Sequence, residues 1–354
     1  MKKLIITFVA LAMLQAVLAF PQPQIPFDPE KYICYRTHEI MKIDGKLKEE
    51  AWTRAEWSRL FVDIEGDRQE EPHFKTRVKM LWDQSHFYIA AVLEEPHIWA
   101  DLTVRDAERF TDNAFNIYID PQGDTHGYYE LRINAMNTIW DMLHTKPSRD
   151  AGSKTIDSWN IQDLKTGVNL HGTLNDPNDT DSSWEIEAAI PWQALEDYAD
   201  GIPPQDGDQW RVNFLRIEWL VDHGNGEYFT LKQPESNWVW SPQGLIDMHY
   251  PEMWGFVQFS RELVGTEQAE FVWNRLEGAK WVMRQLYYRQ REFAEKNGTW
   301  TEDITDLRME DVEIPEFNWP PELHKTTSFY EAVIYSIDRN TRVHIRSDGK
   351  IWID

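Results

Sequence analysis

The fold class is decided by residues 75–93, which read Lys-Thr-Arg-Val-Lys-Met-Leu-Trp (75–82), Asp-Gln-Ser (83–85), His86 and Phe-Tyr-Ile-Ala-Ala-Val-Leu (87–93). Every second residue of the first run lies on one predicted face: Thr76, Val78, Met80 and Trp82. This alternation is typical of a strand with one buried face. Asp83-Gln84-Ser85 favours a turn, so the whole stretch predicts a β-hairpin.

Further runs with strand character follow at short intervals, separated by turn residues. They are Phe115–Ile119, Tyr128–Asn134, Trp184–Ile190, Trp210–Trp219, Glu227–Leu231 and Trp254–Phe259. Only brief helices are predicted among them, at Lys48–Ala55 and Ala194–Glu196. Many short strands with few helices predict a mainly β protein with an antiparallel β-sandwich. We place this sandwich within a domain of residues 20–260.

The chain changes character after residue 260. Glu267–Lys296 has apolar residues at helical spacing, and Asn297-Gly298 is a typical helix end. Ser347-Asp348-Gly349-Lys350 favours a hairpin turn within an alternating segment. Residues 261–354 are therefore predicted to form a helix and a small β-hairpin that extend the sandwich, with no indicated role.

The first 19 residues have the pattern of a signal peptide. Lys2 and Lys3 precede the apolar run Leu4–Leu14, and Ala19 supplies the small residue that signal peptidase requires. We expect cleavage near Ala19 and export to the periplasm or the exterior of a bacterial cell. The sequence has no later stretch that is apolar enough to span a membrane.

Composition excludes several classes of protein. Asp and Glu number 60 against 36 Lys and Arg, which gives a net charge of −24 and disfavours nucleic-acid binding. A single cysteine excludes a disulfide framework. The 18 tryptophans suit either a β-rich core or stacking platforms for a sugar-like ligand.

Several segments, in this order along the chain, resemble the family 9 carbohydrate-binding modules. They are Ile43-Asp44-Gly45, Ala51-Trp52, Val78–Asp83, Phe87–Ala90, Phe115–Pro121, Tyr128–Asn134, Trp184–Trp192, Trp240-Ser241-Pro242 and His249–Gly255. The resemblance implies a DOMON-like β-sandwich that binds sugars. It also implies an association with secreted enzymes that degrade polysaccharides, such as xylanases.

The resemblance also implies a set of binding residues. Such modules hold a sugar between two tryptophans, helped by charged and amide side chains. The first tryptophan position corresponds to Phe110, a glutamate position to Asn116 and an arginine position to Arg132. The second tryptophan position falls near Met248 and His249, where no tryptophan is present. Two nearby aromatic residues, Trp99 and Trp140, could replace the missing tryptophan as stacking platforms for the sugar.

The residues themselves leave a binding role and a structural role open for each of these site positions. Phe110 either contacts a ligand or only occupies an acidic loop, and Arg132 either binds sugar or forms an ion pair on a solvated sheet face. Met248 and His249 either contact a ligand or form a turn, and as adjacent residues they are a poor pair of axial haem ligands. The tryptophans of the strands and turns are predicted to pack in the core: Trp52, Trp82, Trp184 and Trp192.

The acidic segment Asp176–Asp181 raises the question of a metal. Side chains with oxygen ligands stand at alternate positions, and Glu187 follows eleven residues after Asp176. An EF-hand loop, however, needs glycine at the sixth position, where Asp181 stands. A structural calcium site of another geometry and a solvated acidic loop both remain open. The sequence indicates no other cofactor.

Three functions remain after these exclusions. The first is an exported, non-catalytic protein that binds oligosaccharide or polysaccharide of the xylan or glucan type and assists its breakdown. The second is a secreted glycoside hydrolase or an accessory subunit that works with one. The third is an interaction protein that has lost the sugar site. Known hydrolase and phosphate-loop motifs are absent from the sequence, and 60 acidic residues make a search for catalytic carboxylate pairs uninformative.

Overall fold

A computed structural model describes residues 20–107, 111–224 and 226–354. The predicted signal peptide and Phe110 lie outside these residues. The described α-helices are α1 (Glu50–Arg54) and α2 (Leu276–Asn297), and short 3-10 helices occupy Gly66–Arg68, Trp192–Tyr198, Pro251–Met253 and Ile304–Leu307. The described helices include none that is long and apolar enough to cross a membrane.

The strands are numbered in chain order. They are β1 (Lys31–Arg36), β2 (Val62–Asp63), β3 (Thr76–Trp82), β4 (His86–Glu94), β5 (Ala114–Asp120), β6 (Tyr128–Asn134), β7 (Ile139–His144), β8 (Thr155–Ile156), β9 (Lys165–His171), β10 (Ser183–Pro191), β11 (Gln209–Glu218), β12 (Val221–Gly224), β13 (Glu227–Thr230), β14 (Ser236–Val239), β15 (Gly255–Leu263), β16 (Glu322–Lys325), β17 (Tyr330–Tyr335), β18 (Arg342–Arg346) and β19 (Ile351–Ile353).

The main sheet follows the strand order β8-β7-β6-β5-β11-β15-β1-β3-β4-β10-β9, with β14 and β2 attached beside β11. Its pairings are antiparallel except at β1, which runs parallel to both β15 and β3. The path folds over on itself, because apolar residues of β3, β4 and β10 share one core with those of β5, β6, β11 and β15. The predicted β-sandwich is thereby confirmed.

The tryptophans predicted to pack in the core are buried. Trp82, Trp184 and Trp192 lie in the core between the layers, and Trp52 lies in a smaller cluster on the outer face of β3, β4 and β10. The indole of Trp82 donates to the Ser260 carbonyl at 2.8 Å, and that of Trp192 donates to the Asp83 carbonyl at 2.9 Å. Each of these two rings therefore contributes its apolar area without leaving its one polar atom unpaired.

The C-terminal part contains the predicted helix, which begins at Leu276 rather than at Glu267, and a sheet that is larger than the predicted hairpin. Helix α2 ends at Asn297 and is followed by Gly298, which adopts a left-handed conformation with φ +71°. The predicted hairpin around Asp348-Gly349 joins β18 to β19, but these strands belong to a four-stranded sheet with the order β16-β17-β18-β19. Phe20 of the N-terminal segment packs into the core that this sheet forms with α2.

Buried charges join this C-terminal part to the sandwich. Arg149, from the loop after β7, forms two hydrogen bonds to Glu252 at 2.7 and 2.9 Å. Tyr288 of α2 donates its hydroxyl to the same carboxylate at 2.5 Å, and Arg284 of α2 lies 3.7 Å from it. We call Arg149, Glu252, Arg284 and Tyr288 the interface network.

Candidate functional site

The candidate site lies on the outer face of β5, β6 and β7, which is the face turned away from the main core. Leu131 and Ile133 of β6 point into the core. Glu130 and Arg132 alternate with them along the strand and therefore lie on the opposite face. Strand register places Arg132 between Asn116 of β5 and Trp140 of β7. Three residues predicted from the sequence are thus neighbours on adjacent strands.

Glu130 is the centre of this face and is almost fully buried. One carboxylate oxygen accepts hydrogen bonds from Arg132 Nε at 2.7 Å and from the Tyr118 hydroxyl at 2.9 Å. The other oxygen lies 2.8 Å from His144 Nε2. Burial raises the pKa of Glu130, but the Arg132 charge and the His144 hydrogen bond outweigh it and hold the pKa well below its usual range. The carboxylate is therefore ionised at neutral pH.

His249 comes to the same place from the loop before β15. Its ring centroid lies 4.8 Å from that of His144, and its Nδ1 atom lies 2.8 Å from the Tyr128 hydroxyl. Burial lowers the pKa of His249, although nearby Glu130 partly opposes this shift. Five residues thus meet on the outer face of β5, β6 and β7: Tyr118, Glu130, Arg132, His144 and His249.

Arg132 and Trp140 form the part of this face that reaches solvent. The Arg132 guanidinium lies 4.6 Å from the Trp140 ring centroid, which is a cation–π distance. The Arg132 side chain is 20 % exposed, and Trp140 is half-buried. The terminal amino groups of Arg132 have no hydrogen-bond partner among the described residues, since its bond to Glu130 uses Nε. A rigid planar donor group therefore sits beside an aromatic ring at the surface.

The other predicted site residues have different places. Asn116 is fully buried beneath this face and donates to the Tyr118 hydroxyl at 3.2 Å. Met248 packs with Tyr118 and Trp254 in a small apolar cluster. Trp99 is also buried, in a loop whose backbone is held by Asn175 and Asp181, and no hydrogen bond or ring contact among the described residues joins it to Arg132. Phe110 lies outside the described residues.

Sequence reasoning missed Glu130, Tyr118 and His144. A signal for Glu130 was present, because a residue two positions before Arg132 in a strand must share its face. His144 lies opposite Tyr128 in the strand register, and β7 was not predicted as a strand. Without that strand, the sequence could not bring His144 next to Glu130.

The acidic segment considered for calcium is used for local hydrogen bonds. Asp176 accepts from the backbone and side chain of Asn178, at 3.0 and 2.9 Å, and Asp181 accepts from the backbone of Ile98 and Thr173 at 2.7 Å each. Glu187 is buried elsewhere, against the turn at residues 44–45. A structural calcium ion in this protein stays a prediction.

Comparison with known proteins supports the relationship that the motifs suggest. Residues 43–203 match the family model described as "Carbohydrate family 9 binding domain-like". This region is similar to that family. The family 9-like region contains β3–β10, including Glu130, Arg132 and His144, whereas His249 and the C-terminal part lie beyond the match. No curated protein matches the chain significantly.

Three solved structures are similar to this chain. One is a protein from Bacteroides uniformis ATCC 8492 that is proposed to bind carbohydrate; it has 17 % identity and a TM-score of 0.47, over 66 % of this chain and 100 % of its own. Two are family 9 carbohydrate-binding modules from Caldicellulosiruptor kristjanssonii, each covered over its full length. The complex with cellotriose has 14 % identity and a TM-score of 0.42 over 69 % of this chain. The complex with glucose has 15 % identity and a TM-score of 0.40 over 68 %.

Proposed function

We propose that this chain is an exported, non-catalytic carbohydrate-binding protein that holds a saccharide at the surface formed by Arg132, Trp140 and His249. The observation that carries the proposal is the fixed position of Arg132, held by Glu130 on one side and by the Trp140 ring on the other. The match of residues 43–203 to a carbohydrate-binding family supports the same function.

The chemistry of these side chains suits a sugar. A pyranose ring presents hydroxyl groups that accept hydrogen bonds, and it has apolar C–H faces that pack on aromatic rings. The free amino groups of Arg132 can donate to two neighbouring hydroxyls, and a guanidinium that is already immobilised loses little conformational entropy on binding. Trp140 and the His249 ring supply flat surfaces beside this donor.

Further parts of the proposal rest on the sequence. The leader-like residues 1–19 support export, and the net charge of −24 favours a neutral polysaccharide over a polyanion. We propose a xylan- or glucan-type ligand and a role in polysaccharide breakdown beside a glycoside hydrolase. The family resemblance supports this part of the proposal.

Replacing Arg132 by alanine is expected to weaken saccharide binding by roughly tenfold to a hundredfold, because hydrogen bonds from a charged donor contribute about 1.5–3 kcal/mol. Isothermal titration calorimetry against xylan, glucan and mannan fragments would measure this change. Arg132→Lys keeps a positive charge beside Glu130 and should retain the fold, but it removes the planar donor group and should also weaken binding. Phe110→Ala belongs in the same series as the test of the predicted aromatic contact.

Arg342→Ala is the matched control, because Arg342 is also a partly exposed arginine in an ion pair, with Asp354 on the C-terminal sheet. It should bind saccharide as the parent does. Absence of binding to every glycan, or equal binding by the Arg132 and Arg342 variants, would rule out the proposed site. Release of reducing sugar during the titration would instead support the hydrolase alternative.

A further inference from the structure

We infer that Glu130, His144 and His249 form a binding site for a divalent transition-metal ion such as Zn²⁺. One ring nitrogen of each histidine and one carboxylate oxygen of Glu130 all lie within 4.8 Å of one another. This is the one such group of three or more histidine, cysteine or carboxylate ligands among the residues that the structure describes. The inference does not depend on saccharide binding, although the two sites are adjacent.

The ligand set selects the kind of metal. Two imidazoles and one carboxylate suit Zn²⁺, Cu²⁺, Ni²⁺ and Fe²⁺, whereas Ca²⁺ and Mg²⁺ prefer oxygen ligands throughout. Bonds of about 2.0–2.2 Å to zinc place tetrahedral ligand atoms roughly 3.4 Å apart. His144 Nε2 and Glu130 Oε2 are 2.8 Å apart, and the other separations are at most 4.8 Å. Side-chain rotations that move the first pair apart and bring His249 closer would reach the tetrahedral spacing.

The surrounding groups are arranged as in a metal site. The Nδ1 atom of His144 lies 3.1 Å from the Thr155 hydroxyl, and the Nδ1 atom of His249 lies 2.8 Å from the Tyr128 hydroxyl. Hydrogen bonds of this kind orient ligating imidazoles and fix their tautomers. Oε1 of Glu130 is likewise held by Arg132 and Tyr118, which leaves Oε2 for the ion.

Charge and access are also compatible with a bound ion. Binding would replace the hydrogen bond between His144 Nε2 and Glu130 Oε2, and Glu130 would supply the negative charge. Arg132 opposes a dication, but it lies on the far oxygen of Glu130. His249 is half-buried, so that the site is close to solvent, and three protein ligands would leave a coordination position for water or a ligand hydroxyl.

The test uses the full chain without a polyhistidine tag, dialysed against a chelator and then titrated with ZnCl₂ in the absence of saccharide. We expect one Zn²⁺ per chain by calorimetry, a rise in the thermal unfolding temperature, and a tetrahedral absorption spectrum with Co²⁺. His249→Ala and His144→Ala should each weaken binding at least about 100-fold, since loss of a mere supporting hydrogen bond costs 10–100-fold. Tyr128→Phe removes one such supporting bond and should weaken binding about tenfold.

His324→Ala is the control, because this histidine is 72 % exposed on the C-terminal sheet. It should bind Zn²⁺ as the parent does. Binding of less than one ion per chain, or equal affinities of the His249 and His324 variants, would overturn the inference. If His144→Ala fails to fold, His249→Ala and Tyr128→Phe still decide the question. Because no saccharide is present, a failure here is distinct from a failure of the proposed carbohydrate site.

Discussion

Replacing Glu252 by alanine is expected to lower the free energy of unfolding by about 3–5 kcal/mol, the usual cost of removing one partner from a buried ion pair. Glu252 is the anion of the interface network, and it pairs with Arg149 and lies beside Arg284. The side chains of these arginines are 6 % and 2 % exposed. Neither guanidinium could recover its hydration in the variant. Arg149 would keep only the more distant Asp150 at 3.9 Å, and both cations would lose the nearby Glu252 charge.

Removing Glu252 should also affect the neighbouring loop and helix α2. Arg149 also donates to the His249 carbonyl at 2.6 Å and lies 3.9 Å from the Tyr250 ring centroid. The Tyr288 hydroxyl would lose its acceptor as well. We therefore expect the variant to loosen the contact between α2 and the sandwich, and to disturb the loop that carries His249. Chemical denaturation monitored by tryptophan fluorescence would measure the change in stability.

The same carboxyl should make stability depend on pH. Burial raises the pKa of Glu252, but Arg149 and Arg284 outweigh it and lower the pKa to about 2 from an ordinary value of 4.5. A lowered native pKa stabilises the fold fully above about pH 4.5, and this contribution is lost as the pH falls from 4.5 towards 2. The parent should therefore lose stability over this acid range more steeply than Glu252→Ala.

Glu316→Ala is the control for this prediction. Glu316 also pairs with an arginine at 2.7 Å, but its side chain and that of Arg275 are 57 % and 75 % exposed. An exposed pair contributes about 0–1 kcal/mol, so this variant should unfold almost as the parent does. A loss below about 1 kcal/mol in Glu252→Ala would show that the network is not what joins the two parts.

The strands that the sequence predicted are those with a long alternating or apolar run. β3, β6 and β10 each bury one face in the main core, and burial of one face is what produces alternation. β4 is a continuous apolar run because Tyr88 and Ala90 on its other face are buried as well. β1 is absent from the strands predicted from the sequence, because its partner β15 begins more than 200 residues later in the chain. Parallel pairing over such a distance leaves no turn signal between the strands.

The C-terminal sheet shows the same limit. The turn residues Asp348-Gly349 marked the β18–β19 hairpin, but β16 has the polar sequence Glu-Leu-His-Lys and lies in a segment rich in proline and acids. An exposed edge strand carries no apolar pattern. Its place in the sheet depends on pairing with β17, which local sequence does not encode.

At the candidate site, the sequence could identify single residues but not their partners. Arg132 was placed on the outer face because it alternates with Leu131 and Ile133, and an ion pair was one of its two interpretations. The buried partner could not be chosen, because 60 acidic residues look alike in the sequence. What distinguishes Glu130 is the coverage of that face by Tyr118, His144 and His249, and this coverage arises only in the folded chain.

Replacing Glu187 by alanine is expected to lower the free energy of unfolding by roughly 3–5 kcal/mol, because three hydrogen-bond donors would lose their acceptor and each buried loss costs about 1–3 kcal/mol. One carboxylate oxygen accepts from Trp52 Nε1 at 2.8 Å. The other accepts from the backbone of Gly45 at 2.8 Å and of Asp44 at 3.0 Å. Glu187 thus ties helix α1 and the preceding turn to the middle of β10.

These donors have few alternatives once the carboxylate is removed. Trp52 is 1 % exposed and packs on the outer face of the sheet beside Ala90 and Ala189, so water does not reach its indole nitrogen easily. Gly45 has φ +78°, and a Cβ atom there would lie 2.5 Å from the Val168 backbone. The turn is therefore fixed against β9 and cannot move to find another acceptor.

Glu185→Ala separates this role from a general loss of negative charge. Glu185 lies two residues away on the same face of β10, but its side chain is 20 % exposed and its contacts are with His171 and Asn169. We expect its removal to cost less than about 1 kcal/mol. Equal losses in the two variants would mean that the carboxylate of Glu187 contributes only charge. A large loss confined to Glu187→Ala would mean that the hydrogen bonds to this carboxylate hold α1 and its preceding turn to the sheet.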